Sequence, residues 1–262
     1  MPAFFSRRTV AALLPMLLLS CSDPTADLTA SDETVALPAD PAADAIPPEP
    51  RGTAFFIGDD GYALTNAHTM QQCEIAGGVL RDGSQIRLSI RAINQFNDLA
   101  LLQTTATAKP GAKLRILLPP PGERVVVFGF PFADDPEGNG RASEGTVFPY
   151  LTSTDMENKI LSSAPVATGH SGSPLLDGSG NVLGVVNSMM NLVPEGEPPR
   201  YGSRAINGAE VAMLLDSYGV RYKTSIFPND KSVEEIVDRA RDFTFRLTCV
   251  KKQIEEKTPS PP

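Results

Sequence analysis

Between residues 51 and 207 the apolar positions fall in short runs broken by Gly, Pro, Asp and Asn. Thr53 to Ile57, Tyr62 to Thr65, Ile86 to Ile90, Leu99 to Leu102, Arg124 to Phe130 and Val182 to Val186 have strand length. Turn signals separate them at Asp59-Asp60-Gly61, Asp82-Gly83 and Asp177 to Asn181. Many short strands at this spacing, with no long 3.6-residue period among them, predict an antiparallel sandwich or barrel. The first helical pattern covers residues 208 to 218, with Asn207 as its cap and Gly219 as its stop. Val211, Leu214, Leu215 and Tyr218 form its apolar stripe. A second helix opens at the capping box Ser232-Val233-Glu234-Glu235. It leads into Phe243 to Val250, where Phe243, Phe245, Leu247 and Cys249 alternate with other residues, the pattern of a half-buried strand.

The N-terminal stretch follows another logic. Arg7 and Arg8 precede an apolar run from Val10 to Leu19, about ten residues, which suits a signal-peptide core and is too short to span a bilayer. Leu18-Leu19-Ser20-Cys21 resembles a bacterial lipobox, which implies loss of residues 1–20 and lipidation of Cys21. An ordinary secretory signal with an incidental Cys is the alternative. Residues 22–50 hold six Pro, seven Asp or Glu and no Lys or Arg, so residues 21–50 read as a disordered, self-repelling tether. The net charge of −8 belongs mostly to that tether; without it and the two leading arginines, residues 51–262 carry −3. Nothing in this balance suits a nucleic-acid partner, which requires clustered cations.

Candidate chemistry is confined to few residues, because the chain has two His and three Cys. In Thr168-Gly169-His170-Ser171-Gly172-Ser173-Pro174 a Ser stands between two Gly, which permit the tight turn an exposed nucleophile needs. A Ser hydroxyl requires a base, and His is the usual one. His170 adjoins Ser171, and adjacent side chains diverge. His68, at the end of Tyr62-Ala63-Leu64-Thr65-Asn66-Ala67-His68, is the better candidate. Asp98, just ahead of the apolar Leu99 to Leu102, could fix the imidazole tautomer. No His follows Ser171, which excludes the order of the α/β-hydrolases. The order His68, Asp98, Ser171 is that of the chymotrypsin-like proteases.

Residues 52–219 resemble the protease domain of HtrA-type and other bacterial trypsin-like serine proteases. The matching stretches are GTAFFIGDDGYALTNAH (52–68), LRDG (80–83), NDLALL (97–102), VVFGFPF (126–132), SEGTV (143–147), GHSGSPLLDGSGNVLGVV (169–186) and RAIN (204–207). The resemblance implies an all-β fold of two six-stranded antiparallel β-barrels with the site between them, followed by a C-terminal helix. It implies a serine endopeptidase with His68, Asp98 and Ser171 as catalytic triad and the backbone amides of Gly169 and Ser171 as oxyanion hole. It also implies no cofactor and no metal. Three departures stand out: Ser173 replaces a usual Gly, His170 a usual Asn or Asp, and Thr69-Met70 two apolar residues. In the family the segment before the nucleophile lines the specificity pocket. Here Pro165, Val166 and Ala167 predict an apolar pocket for a small or aliphatic residue.

The family places a strand ahead of Gly52-Thr53-Ala54, where this chain has its tether. Residues 243 to 250 are therefore expected to return to the first barrel and replace that strand, clamped by a Cys73–Cys249 disulfide. Two separate buried thiols are the alternative. The expected layout is a signal peptide (1–20), a lipidated tether (21–50), a protease domain (51–224) and a helix–strand extension (225–262) ending in a frayed tail at 257–262. The expected partners are a protein or peptide substrate and a membrane reached through the lipid anchor alone, with a monomer as the default. The expected location is the periplasmic face of a bacterial membrane, the outer before the inner. The competing reading is a protease-fold binding or scaffold protein whose triad is unproductive or latent.

Overall fold

In the computed structural model, which describes residues 49–104, 111–132, 135, 137–150, 158–192, 201–225 and 230–251, each of those apolar runs lies in a strand except for Phe130, one residue past its strand's end. In chain order these begin with β1 (Glu49–Ile57), β2 (Tyr62–Thr65), β3 (Cys73–Val79), β4 (Gln85–Asn94) and β5 (Leu99–Gln103). Next come β6 (Lys113–Leu114), β7 (Arg124–Gly129), β8 (Arg141–Thr146), β9 (Lys159–Ser162), β10 (Pro174–Leu176), β11 (Val182–Asn191) and β12 (Tyr201–Asn207). Helix α1 (Gly208–Ser217), β13 (Lys223–Thr224), helix α2 (Val233–Phe243) and β14 (Thr244–Lys251) complete the described order. The signal segment, Cys21, the tether up to residue 48 and the tail at 257–262 lie outside the described residues.

The first barrel is closed in the order β1-β14-β3-β4-β5-β2. Its interior holds Phe56, Leu102, Phe245 and Leu247, while Phe55, Leu64 and Leu101, on the opposite face of the same strands, are buried outside it. Burying such side chains stabilises by about 1.5–3 kcal/mol each. β14 lies between β1 and β3, with Thr53 opposite Arg246 and Cys249 opposite Ala76. Cys73 and Cys249 form a disulfide. Two sequence expectations need correction here. Glu49 and Pro50, assigned to the tether, already pair with Cys249 and Thr248. Phe243, expected to open the strand, is the last residue of α2, and Thr244 and Thr248 on the supposedly wet face are buried. Thr248 sits opposite Gly77, whose missing side chain leaves it room.

In the second barrel β10 pairs β7, β7 pairs β8, β10 pairs β11, β11 pairs β12 and β12 pairs β9. A bridge from Val147 to Ser162 joins the end of β8 to β9 and closes the circuit. Val125, Val127, Leu175, Leu183 and Ala205 line the interior. Helix α1 starts with the Asn207 side chain accepting from Glu210 N, and it buries Val211, Leu214 and Leu215. Helix α2 carries the full capping box and buries Ile236, Ala240 and Phe243. No helix among the described residues is long and apolar enough to cross a membrane.

Candidate active site

β2 ends at Thr65, and Asn66-Ala67 leads into a 3-10 turn, His68–Met70. The Thr69 hydroxyl donates to the Asn66 carbonyl at 2.7 Å and stands 3.2 Å from the Thr65 hydroxyl, so the turn is pinned and His68 faces outward. Asp98 closes the turn between β4 and β5 with φ +54, a left-handed backbone uncommon outside Gly. Asn66 Nδ2 donates to the Asp98 carbonyl at 3.0 Å. The Asp98 carboxylate accepts from the His68 backbone N–H at 3.0 Å and faces His68 Nδ1 at 2.9 and 3.1 Å. This contact spans 30 residues of chain, and the carboxylate side chain is 24% exposed. A carboxylate on Nδ1 favours the proton there and leaves Nε2 as an acceptor toward the cleft. Burial pushes the nearby Lys159 ammonium below the ordinary lysine range, while Asp98 and Glu210 pull it back up.

Ser171 directly follows a turn in which His170 N donates to the Ala167 carbonyl at 3.0 Å. Gly169, third in that turn, has φ +106, the region a type II turn demands of this position. A Cβ on Gly169 would also run into Phe130 O and Pro131 Cα. The Thr168 carbonyl accepts from Phe132 N at 3.0 Å, so the Gly169 N–H, on the opposite side of that trans peptide, points away from Phe132. His170, Gly172 and Ser173 use their amides within the fold; those of Gly169 and Ser171 have no partner among the described residues. The buried His170 ring folds into its own turn, with Nδ1 3.1 Å from Ala167 N. The fully buried Ser173 side chain fits because the residue beside it is Gly129, where a Cβ would strike Ser173 Oγ.

Thr53, in β1, joins the two barrels at this point. Its N–H donates to the Ser171 carbonyl at 2.9 Å, and its hydroxyl donates to the Gly169 carbonyl at 2.9 Å and accepts from Phe130 N at 3.0 Å. Its carbonyl accepts from the Thr65 hydroxyl at 2.8 Å, and Thr65 abuts Thr69, the neighbour of His68. Ser171, on the second barrel, is thereby docked against the turn that carries His68. Beside Ser171 lies a pocket of about 210 Å³ lined by Val166, Ala167, Thr168, His170, Val186, Ser188 and Met189. Val166 and Ala167 are on its wall, whereas Pro165 is exposed and outside it. Ser188 and Met189 escaped sequence reasoning because β11 runs five residues past the apolar stretch that marks it. A hollow of about 470 Å³ lies under α2 near Phe56 and Arg241, but it pairs no base with a nucleophile. No group of three or more His, Cys, Asp or Glu among the described residues could hold a metal ion.

Residues 52–185 match the family model of the trypsin-like peptidase domain. The uncharacterized protein y4bJ of Sinorhizobium fredii is 35% identical over 204 residues, covering 76% of this chain and 32% of that protein. A probable periplasmic serine endoprotease DegP-like of Chlamydia trachomatis is 27% identical over 147 residues, 54% of this chain and 29% of that protein. The chain thus spans about a third of the length of these curated relatives. Among solved structures, the HtrA-type protease AlgW with decapeptide aligns with a TM-score of 0.56 at 22% identity, over 64% of this chain and 51% of that one. The serine endoprotease from Yersinia pestis aligns with a TM-score of 0.54 at 23% identity, over 63% and 56%. At such identities the structural likeness establishes the shared double-barrel fold.

Proposed function

The chain belongs to the trypsin-like peptidase family, and on that premise we propose that it is a serine endopeptidase with His68, Asp98 and Ser171 as its triad. The observation that carries this reading is the His68–Asp98 contact at 2.9 Å, formed on the turn against which the Ser171 loop is docked. Ser171 Oγ attacks the scissile carbonyl while His68 Nε2 takes its proton and then gives it to the leaving amine. Asp98 holds the ring and stabilises the imidazolium. The unspent amides of Gly169 and Ser171 receive the oxyanion. A water, deprotonated by His68, then hydrolyses the acyl-enzyme and frees Ser171. The substrate is a protein or peptide with a small or aliphatic residue before the cleaved bond, because no carboxylate among the described residues lines the pocket and its volume is modest.

The layout proposed with it is a signal peptide (1–20), a lipidated Cys21 on an acidic tether, a protease domain (51–224) and an extension (225–262) that supplies β14 to the first barrel. Secretion is supported by the apolar leader and by relatives named as periplasmic endoproteases. The test is labelling of the purified protein by a fluorophosphonate probe. Wild type is expected to label, and Ser171→Ala to abolish labelling. His68→Ala is expected to slow it by about 10⁴-fold or more. A folded wild type that does not label would replace this reading with the scaffold or latent one.

A further inference from the structure

Asp98 holds a left-handed backbone, and a non-Gly residue keeps such a conformation only where its surroundings over-determine it. Its carbonyl is held by Asn66, on the first barrel. On the other side the hold is Asn97, which is 9% exposed. The Asn97 N–H donates to Asn94 Oδ1 at 3.0 Å, within the same turn. Its side chain is spent on other elements: Nδ2 donates to Glu210 Oε2 at 2.6 Å, and Oδ1 accepts from Asn158 Nδ2 at 3.1 Å.

We infer, resting on the protease reading above, that Glu210 in the first turn of α1 is a positioning residue that acts through Asn97 to hold Asp98 against His68. Glu210 stands three residues after the helix cap, where a Glu ordinarily folds back onto the cap amide. Here the Asn207 amide is taken by the Asn158 carbonyl at 3.0 Å, so the Glu210 carboxylate is free to reach across to the first barrel. A carboxylate accepting at 2.6 Å belongs to the short, strong class of hydrogen bonds. Lys159 follows Asn158 and is attracted by both Asp98 and Glu210, which places a cation in the field of the two carboxylates. The carboxylate of the proposed triad is thus braced by the helix that follows the second barrel. Without Glu210, Asn97 loses the shorter of its two side-chain anchors, the Asp98 backbone relaxes toward an ordinary conformation and the carboxylate swings off His68 Nδ1.

The test compares Glu210→Ala with Glu210→Gln, whose carbonyl oxygen still accepts from Asn97. Two readouts are used: the fluorophosphonate labelling rate, and the NMR signal of the imidazole Nδ1 proton in protein labelled with ¹⁵N-histidine. With only two His in the chain, a His170 variant assigns that signal. Glu210→Ala is expected to lose or exchange-broaden the His68 proton signal and to slow labelling by about 10- to 100-fold, the scale of a misplaced catalytic group. Glu210→Gln is expected to recover the signal and most of the rate. An unchanged signal and rate in Glu210→Ala, or equal losses in both variants, would overturn the inference. Should Glu210→Ala fail to fold, Asn158→Ala removes the other anchor of Asn97 and must weaken the same signal. A wild type that does not label sinks the protease reading, while the proton signal still decides whether Glu210 controls the His68–Asp98 contact.

Discussion

Thr53 belongs to no catalytic motif, yet it touches both barrels at the site. Its hydroxyl serves Phe130 N and the Gly169 carbonyl at once, across 77 and 116 residues of chain. Thr53→Val keeps the shape and strands both backbone groups in a buried place. It is expected to cost about 1–3 kcal/mol in urea unfolding and to slow fluorophosphonate labelling through the loosened Gly169 turn. Thr53→Ser, which keeps the hydroxyl, should behave as wild type in both measurements. The pair Gly129 and Ser173 gives a sharper case. Gly129→Ala would drive a Cβ into Ser173 Oγ, with an expected loss of about 1–3 kcal/mol from overpacking. Adding Ser173→Gly should return part of that loss, because it removes the nearest obstacle, a hydroxyl with no hydrogen-bond partner among the described residues, while Thr53 Oγ1, 2.9 Å from the added carbon, stays in the way. Losses that simply add in the double variant would show that the two positions do not share this space. His68, Asp98 and Ser171 could be singled out in the sequence because His is scarce and the order of the three is diagnostic. Thr53, Asn97 and Glu210 could not, because an ordinary polar residue gains its role only from a tertiary neighbour far along the chain.

The elements most legible in the sequence carry their own local chemistry. Asn207 caps α1, and Ser232 and Glu235 exchange hydrogen bonds at 2.9 and 3.2 Å at the start of α2. Ser232→Ala should therefore lower stability by about 1 kcal/mol while leaving the labelling rate unchanged, which a urea midpoint and a probe assay on one preparation would check. A larger loss would mean that α2 holds β14 in place as well as covering it. Strands β8, β9 and β10 are short or polar, and β3 is rich in Gly, so the residues between turns give little period to read. The extra length of β11 is hidden for another reason. A register shift between Val186 and Ser188 breaks the alternation just where the strand becomes the pocket wall. At the N-terminal edge, Glu49 and Pro50 look like tether by composition, and only β14, some two hundred residues later, makes them part of a strand.

At the scale of the whole molecule the first barrel depends on both ends of the described chain, because β14 pairs with β1 on one side and β3 on the other. The Cys73–Cys249 disulfide closes a 176-residue separation at this seam, and Cys73 lies three residues past the 3-10 turn that carries His68. Constraining so long a loop in the unfolded chain is worth about 2–5 kcal/mol in practice. That sum does not stand alone at the seam. Phe245 and Leu247 remain buried whether or not the sulfurs are joined, Phe245 stacks at 4.8 Å on Phe56, and the ladders on both sides of β14 persist. Burial of these two side chains alone, at about 1.5–3 kcal/mol each, rivals the disulfide. A reductant is therefore expected to lower the melting temperature by about 5 to 15 °C while leaving fluorophosphonate labelling at 25 °C intact. The Cys73→Ser/Cys249→Ser double variant should melt like the reduced protein and ignore the reductant. An unchanged melt would mean that the strand ladders and core hold the seam without help. Labelling lost at 25 °C from a reduced but still folded protein would mean that the sulfurs also fix the His68 turn, which would couple the proposed activity to the redox state of the compartment.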